Sequence, residues 1–389
     1  MRAPAIRTVI VILACIWPTL LCGDLTAAGQ QSQPPNEGAD RIRADQWHLA
    51  TLACAEANKV SQGEGVIVAV PDTGVSPHPD LTGNLLSGIN IVDGGRSNGH
   101  GDQNSHGTGM AGLIAAHGQD NNQGARGIAP KSKILPILIA GTNNQSSPDD
   151  LGKAIDYAIS SGASVISISS AGGSSPALRE AIKSGLAANV LIVAAAGNRP
   201  ADNHVGYPAS AEGVIAVGGI DRDGNRAAIS VTGPEIDVVA PAVDIYSTSL
   251  NGKYRKGTGT SDATAIVAGA AALIRSKYPY LPAREVAHRL TATAIDKGPP
   301  GRDDEYGYGV IDLVAALTAD VPPLGFESAS APVGAGPTTW AGGERGDDDG
   351  AATARGLATL GVILAAGVGW AVVARRRRRS DDPPPRISR

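Results

Sequence analysis

Residues 148–170 read PDDLGKAIDYAISSGASVISISS, and the change of rhythm within them decides the fold class. Leu151, Ala154, Ile155, Ala158 and Ile159 recur at helical spacing and mark one apolar face. Asp149 and Asp150 fall in the first turn of that helix, where its dipole favours negative charge. The apolar run 165–168 follows, too short for a helix and about as long as a buried strand. Comparable runs lie at 66–70, 134–139, 190–194 and 214–217, and a second helix is expected at 177–188. Strands alternating with helices predict an α/β fold, a mostly parallel twisted sheet with helices on both faces. Ligands of such sheets gather at the carboxyl ends of the strands.

The chain has 389 residues, enough for one large domain or two modest ones with appendages. A composition of 42% hydrophobic residues, 3% aromatics and 50 Gly suits a Val/Ile/Ala core closed by tight turns. The formal net charge of −4 is too small to imply a nucleic-acid partner.

Both ends read as targeting segments. Residues 1–28 carry Arg2 and Arg7, an apolar run, then small residues near Ala27 and Ala28, the pattern of a secretory signal peptide. Residues 29–46 form a polar N-terminal arm, and 47–320 have globular texture. The Pro/Gly/Asp-rich stretch 321–355 cannot bury a core and reads as a stalk. Residues 356–374 are uncharged for about 19 residues, at about 1.5 Å each enough to cross a bilayer as one transmembrane helix. The arginines at 375–379 begin a basic tail, 375–389, expected to stay cytoplasmic. These features place the chain in the cell membrane, crossing the lipid bilayer once, with the globular part outside. Cys15 and Cys22 would leave with the signal, so Cys54 is expected as a lone, buried, unreactive thiol.

Three polar motifs carry the chemistry. The strand VIVAV leads into Pro71-Asp72-Thr73-Gly74, which sets a carboxylate at a strand's carboxyl end. NSHGTGMAGLIAA sets His106 before a small-residue helix, and GTGTSDATAIVAGA sets Ser261 at the start of a long one. Singly, each is an ordinary turn or cap residue. Together they meet one requirement: a serine hydroxyl needs a base, and that imidazole needs a carboxylate to fix its tautomer and stabilise its charge.

The order Asp, His, Ser, with DTGVSPHPDL, HGTGMAGLIAA, GIAP, VAAAGN, VGYPAS, GVIAVGG and GYGVIDLVAAL, resembles the subtilisin-like serine proteases, or subtilases. The resemblance implies a subtilisin-like fold and a serine endopeptidase that forms an acyl-enzyme on Ser261, with His106 and Asp72 completing a catalytic triad. It maps Asn198 onto the oxyanion hole. Ser169, Ser170 and Ala171 would form one substrate-binding wall, Ala195, Ala196 and Gly197 the other. Gly206 would be the pocket floor, leaving room for a sizeable side chain. The implied substrate is a protein or peptide bound in extended form. No cofactor is required.

Three departures from the family pattern stand out. Asp262 replaces a large apolar residue after the serine, and Ala265 a proline three residues on. Asp262 suits the first turn of a helix but faces a developing oxyanion, so it is expected to dampen reactivity, and Asp262→Ala to raise turnover. Pro71 replaces Val or Ile and removes one backbone donor from the strand end.

The stalk, the spanning helix and DQWHLATLACAEANKVSQGEGVIVAV are similar to the mycosins, membrane-anchored subtilases associated with type VII secretion. Only about 18 residues separate the signal from Trp47, which leaves no room for a long prodomain. Mycosins often carry disulfides, and the lone Cys54 departs from that. The resemblance makes the type VII secretion membrane complex a partner. It leaves two roles open: cleavage of exported proteins, or mainly structural support of the complex. Subtilases often bind calcium, but Asp93, Asp102, Asn104, Asp120 and Asn121 lack ligand spacing, read as solvated turns, and support no metal site. His78, His100, His117 and His204 have no zinc spacing and read as loop histidines.

Overall fold

The structure is a computed structural model that describes residues 38–141 and 146–325. The signal 1–28, the spanning helix 356–374 and the basic tail lie outside the described residues, as does all but the start of the stalk. Among the described residues no helix is long and apolar enough to cross a membrane.

Seven strands form the main sheet: β1 (Ile67–Asp72), β2 (Ile89–Asn90), β3 (Lys133–Leu138), β4 (Val165–Ile168), β5 (Leu191–Ala195), β6 (Ile215–Ile220) and β7 (Val238–Pro241). Their order is β2-β3-β1-β4-β5-β6-β7, with every neighbouring pair parallel. The chain leaves β1 for one side of the sheet and returns to β4 on the other, so β1 stands at the point of reversal where a crevice opens beyond the strand ends. β1 runs two residues past the stretch its sequence predicts, because Pro71 and Asp72 keep register with Ile137 and Leu138 of β3. The β1–β4 ladder joins only Val68 and Ala69, so Pro71 lies beyond it and its missing donor costs that ladder nothing.

The helices are α1 (Ala39–Asp45), α2 (Trp47–Thr51), α3 (Cys54–Val60), α4 (His106–Ala115), α5 (Pro148–Ser160), α6 (Pro176–Ala187), α7 (Thr260–Lys277), α8 (Ala283–Ala292) and α9 (Leu313–Thr318). α5 starts where its sequence dictates: Ser147 accepts from the Asp150 N–H, Pro148 opens the helix and both aspartates occupy the first turn. Gly162, at φ +77°, lets the chain turn into β4. α5 and α6 pack on one another, and α4 and α7 do the same against the sheet. α7 is buried from Thr260 to Arg275, and its Ala and Gly residues let neighbours approach closely: a methyl on Gly269 would lie 2.7 Å from Ile128 Cβ.

A hairpin the sequence did not announce, β8 (Ile245–Thr248) with β9 (Tyr254–Gly257), lies over α4. Ser247 Oγ and Thr248 Oγ1 donate to the Gly109 and Thr108 carbonyls, each at 2.7 Å.

The described residues before β1, from 38 on, are held by contact with the domain. Arg43 Nε donates to the Gly124 carbonyl, Gln46 Nε2 to those of Arg126 and Tyr246, and Trp47 Nε1 to that of Val243. Cys54 is a free, buried cysteine, and burial pushes its thiol up to about 11, which makes it inert as expected.

Candidate active site

Asp72 ends β1 and His106 begins α4, and the structure brings them together. His106 Nδ1 lies 2.8 Å from Asp72 Oδ1 and 3.0 Å from Oδ2, a carboxylate placed to hold a proton on Nδ1. The Thr73 N–H donates to Asp72 Oδ1 at 2.7 Å and fixes the carboxylate in turn. Gly107 permits the approach, because a methyl there would strike the Gly74 carbonyl and lie 3.1 Å from Asp72 Cβ. Burial opposes charge on the His106 ring, but Asp72 outweighs burial and holds the ring above its ordinary value.

Asp102 shows what the sequence reading missed. Expected as a solvated turn, it is buried and accepts from Thr73 Oγ1 at 2.9 Å, Asn104 N at 2.8 Å, Ser105 N at 3.0 Å, Thr108 N at 3.0 Å and Thr108 Oγ1 at 2.5 Å. Thr73 Oγ1 accepts from Gly107 N at 3.0 Å, so one buried carboxylate ties the end of β1 to the start of α4. It also holds Ser105 at φ 75°, a left-handed conformation uncommon for a residue with a side chain. The available signal was an aspartate just ahead of a helix start rich in Ser, Thr and Gly. Five donors saturate these oxygens, so this carboxylate does not fit a calcium site. His78 is a loop histidine as expected, and a buried one, with its ring accepting from the Asp80 N–H.

Ser261 stands in the first turn of α7, where its N–H has no intrahelical acceptor. Its hydroxyl donates to the Ser169 carbonyl at 2.9 Å, and among the described residues no hydrogen bond joins it to His106. Beside it, Asn198 Oδ1 accepts from the Thr260 N–H at 2.9 Å and from Thr260 Oγ1 at 3.3 Å. A backbone N–H needs an acceptor, so this bond assigns the amide: the oxygen faces Thr260 and the Nδ2 donors are left for another group. Asp202 Oδ2 braces the loop by accepting from Asn198 N at 2.7 Å.

The expected substrate walls follow β4 and β5, neighbours in the sheet. Ser170 is exposed and Ala171 half-buried, whereas Ala195 and Ala196 are buried, so only main chain could serve from the latter pair. Gly206 donates its N–H to the Ala196 carbonyl at 3.0 Å, and a methyl on it would lie 2.7 Å from Ala171 Cβ. Ala171 thus fills the space directly over Gly206. The glycine serves close approach of two segments, not the open floor its sequence suggested.

The expected repulsion from Asp262 is offset. Its buried carboxylate lies 3.7 Å from Arg255 Nη1, so a positive charge on β9 faces the negative one beside Ser261.

Comparison with known proteins shows the family. The family model described as the subtilase family matches residues 63–309. Subtilisin DY of Bacillus licheniformis is 40% identical over 260 residues, covering 66% of this chain and 92% of that protein. Subtilisin Savinase of Lederbergia lenta is 38% identical over 273 residues, covering 69% and 97%. Among solved structures, MycP1 from the ESX-1 type VII secretion system superposes with a TM-score of 0.67 at 29% identity, covering 76% of this chain and 90% of that one. MycP3 protease from the type VII (ESX-3) secretion system gives 0.64 at 30%, covering 75% and 92%. With an imidazole held by a buried acid, a serine at a helix start and matches along most of the domain, the chain belongs to the subtilase family of serine endopeptidases.

Proposed function

We propose that this chain is a membrane-anchored endopeptidase of the mycosin type, with Asp72, His106 and Ser261 as its triad. The observation that carries the reading is the 2.8 Å contact of His106 Nδ1 with Asp72, because it leaves Nε2 as the free base. In the first step Ser261 Oγ leaves the Ser169 carbonyl, gives its proton to His106 Nε2 and attacks the substrate carbonyl carbon. The Ser261 N–H and Asn198 Nδ2 bind the resulting oxyanion. His106 then protonates the leaving amine, the acyl-enzyme forms, and a water activated by the same ring releases the product. An extended peptide would lie between 169–171 and 195–197.

The likeness to MycP1 and MycP3 supports a place beside a type VII secretion complex. The apolar segment 356–374 and the basic run after it support a single crossing of the cell membrane, with 47–320 outside as the catalytic domain and 321–355 as the stalk. A second reading, a mainly structural component with secondary proteolysis, draws on the Ser261 hydroxyl facing Ser169 instead of His106.

Two experiments separate the readings. A serine-directed phosphonate added to the full chain should form an adduct on Ser261 that is absent in Ser261→Ala and suppressed in His106→Ala. An adduct elsewhere, or none, refutes the triad. Secretion that survives Ser261→Ala but fails on deletion of the whole chain selects the structural role.

A further inference from the structure

Arg255 and Asp262 form a buried pair of opposite charges that the triad does not use. Arg255 stands on β9 opposite Ser247, and Asp262 follows Ser261 in the first turn of α7. Arg255 Nη1 lies 3.7 Å from Asp262 Oδ1, with the side chains only 12% and 3% exposed. Two glycines make the space. A methyl on Gly257 would lie 2.6 Å from Asp262 Oδ1 and 2.7 Å from Arg255 Nη2. One on Gly109, a helical turn beyond His106, would lie 2.8 Å from Arg255 Cδ and strike its Nη1. The guanidinium therefore lies between the helix that carries the base and the helix that carries the nucleophile.

Neither Arg255 Nη1 nor Asp262 Oδ1 has a hydrogen-bond partner among the described residues. Burying two charges with an atom of each left without a directional bond is a poor way to stabilise a core, and an apolar pair of the same volume would do as well or better. The geometry instead suits an electrostatic task.

We infer that Arg255 and Asp262 are positioning residues that cancel one another's field at His106, leaving Asp72 to govern the imidazole. The inference rests on the triad proposed above. The charges that act on the ring are Asp72 from β1, Arg255 from β9 and Asp262 from α7, while Asp102, in the loop before α4, is held by the Thr108 N–H. Asp80 and His78, on the turn packed against α4, lie toward its other end, where the His117 N–H reaches the Asp80 carbonyl. Lys133 lies at the start of β3, the end of the sheet away from Asp72. Tyr246 lies on β8. Burial and Asp72 act most strongly on His106; after them Arg255 lowers its affinity for a proton and Asp262 raises it. Removing either member alone would leave the other's charge beside the ring.

The test uses the full chain as wild type, Asp262→Asn, Arg255→Met and the double variant. Two readouts are taken: titration of the His106 ring by NMR on histidine-labelled protein, and the pH dependence of kcat/KM on a fluorogenic peptide. Asp262→Asn should move the ring titration and the acidic limb of the rate down by about half a pH unit or more, and Arg255→Met should move both up by a similar amount. The double variant should return to within about 0.2 units of wild type, a non-additivity that packing alone would not produce. A ring that does not move in Asp262→Asn, or that moves upward, overturns the inference, and that variant alone decides if Arg255→Met fails to fold. The ring titration reads the pair without turnover, whereas phosphonate labelling of Ser261 reads the triad, so the two ideas fail separately.

Discussion

The Ser261 hydroxyl donates to the Ser169 carbonyl at 2.9 Å, and the Ser169 hydroxyl returns a bond of 3.3 Å to the Ser261 carbonyl. The end of β4 and the start of α7 are thereby stitched at the point where bond cleavage is proposed. The first bond uses main chain and survives substitution; the second does not. Ser169→Ala should therefore keep phosphonate labelling of Ser261, lower kcat about two- to fivefold through a looser nucleophile, and cost about 1 kcal/mol of stability in denaturant titration. Loss of all labelling would mean that Ser169 has a larger role than bracing.

Asn198 offers its Nδ2 only because Thr260 holds the amide oxygen. Asn198→Ala should lower kcat by about 10²–10³ with little change in KM, the signature of a donor that acts on the transition state. An equal loss in KM would move Asn198 from oxyanion binding to substrate binding.

His106 must be neutral to act as a base, and its proton affinity is raised above the ordinary 6.5. Activity should therefore be lost as pH falls through a value higher than that of a free imidazole. Asp72→Asn removes the charge that raises it: the acidic limb of kcat/KM should move to lower pH, and kcat should fall about 10⁴-fold with the tautomer lost. A limb that stays in place would assign it to another group.

Asp102 holds both ends of the Asp72–His106 contact through five accepted bonds. In Asp102→Asn one terminal atom becomes a donor facing donors. That variant should lower kcat about tenfold or more at nearly constant KM, since the triad geometry loosens while the cleft remains. Unchanged kcat in a folded Asp102→Asn protein would reduce Asp102 to a local turn former.

His48 is fully buried, neither ring nitrogen has a hydrogen-bond partner among the described residues, and burial pushes its value down from 6.5 to about 3. The unfolded chain binds a proton there below about 6.5 while the folded chain does not, so stability should fall as pH drops from that value toward 3. The loss could reach a few kcal/mol, and His48→Leu should flatten it, which melting temperatures between about pH 7 and pH 4 would report. Parallel acid losses in both proteins would assign the effect to other groups.

Much of the architecture was legible along the chain, because helices and buried strands are written in local periodicity. The runs around β1, β3, β4 and β5 and the faces of α5 and α6 are legible to within a residue or two of their ends, whereas β6 continues three residues past its apolar stretch. β7 and the β8–β9 hairpin were not, since Val238–Pro241 is short and Tyr254–Gly257 carries Arg255 and Lys256 in place of an apolar alternation. Those segments are strands because of what they lie against.

The sequence by itself determined which chemistry was available: an acid after a strand, a histidine and a serine at helix starts, and an asparagine after Ala-Gly. Such motifs are contiguous, and residue type and order carry their meaning. Only the tertiary structure decided who serves whom. Asp102 became the clamp of the base, Arg255 the counter-charge of Asp262, Ser169 the acceptor for Ser261 and Ala171 the cover of Gly206. Each of these pairings joins separate segments where strand ends and helix starts converge, and short-range pattern holds no record of a distance in space.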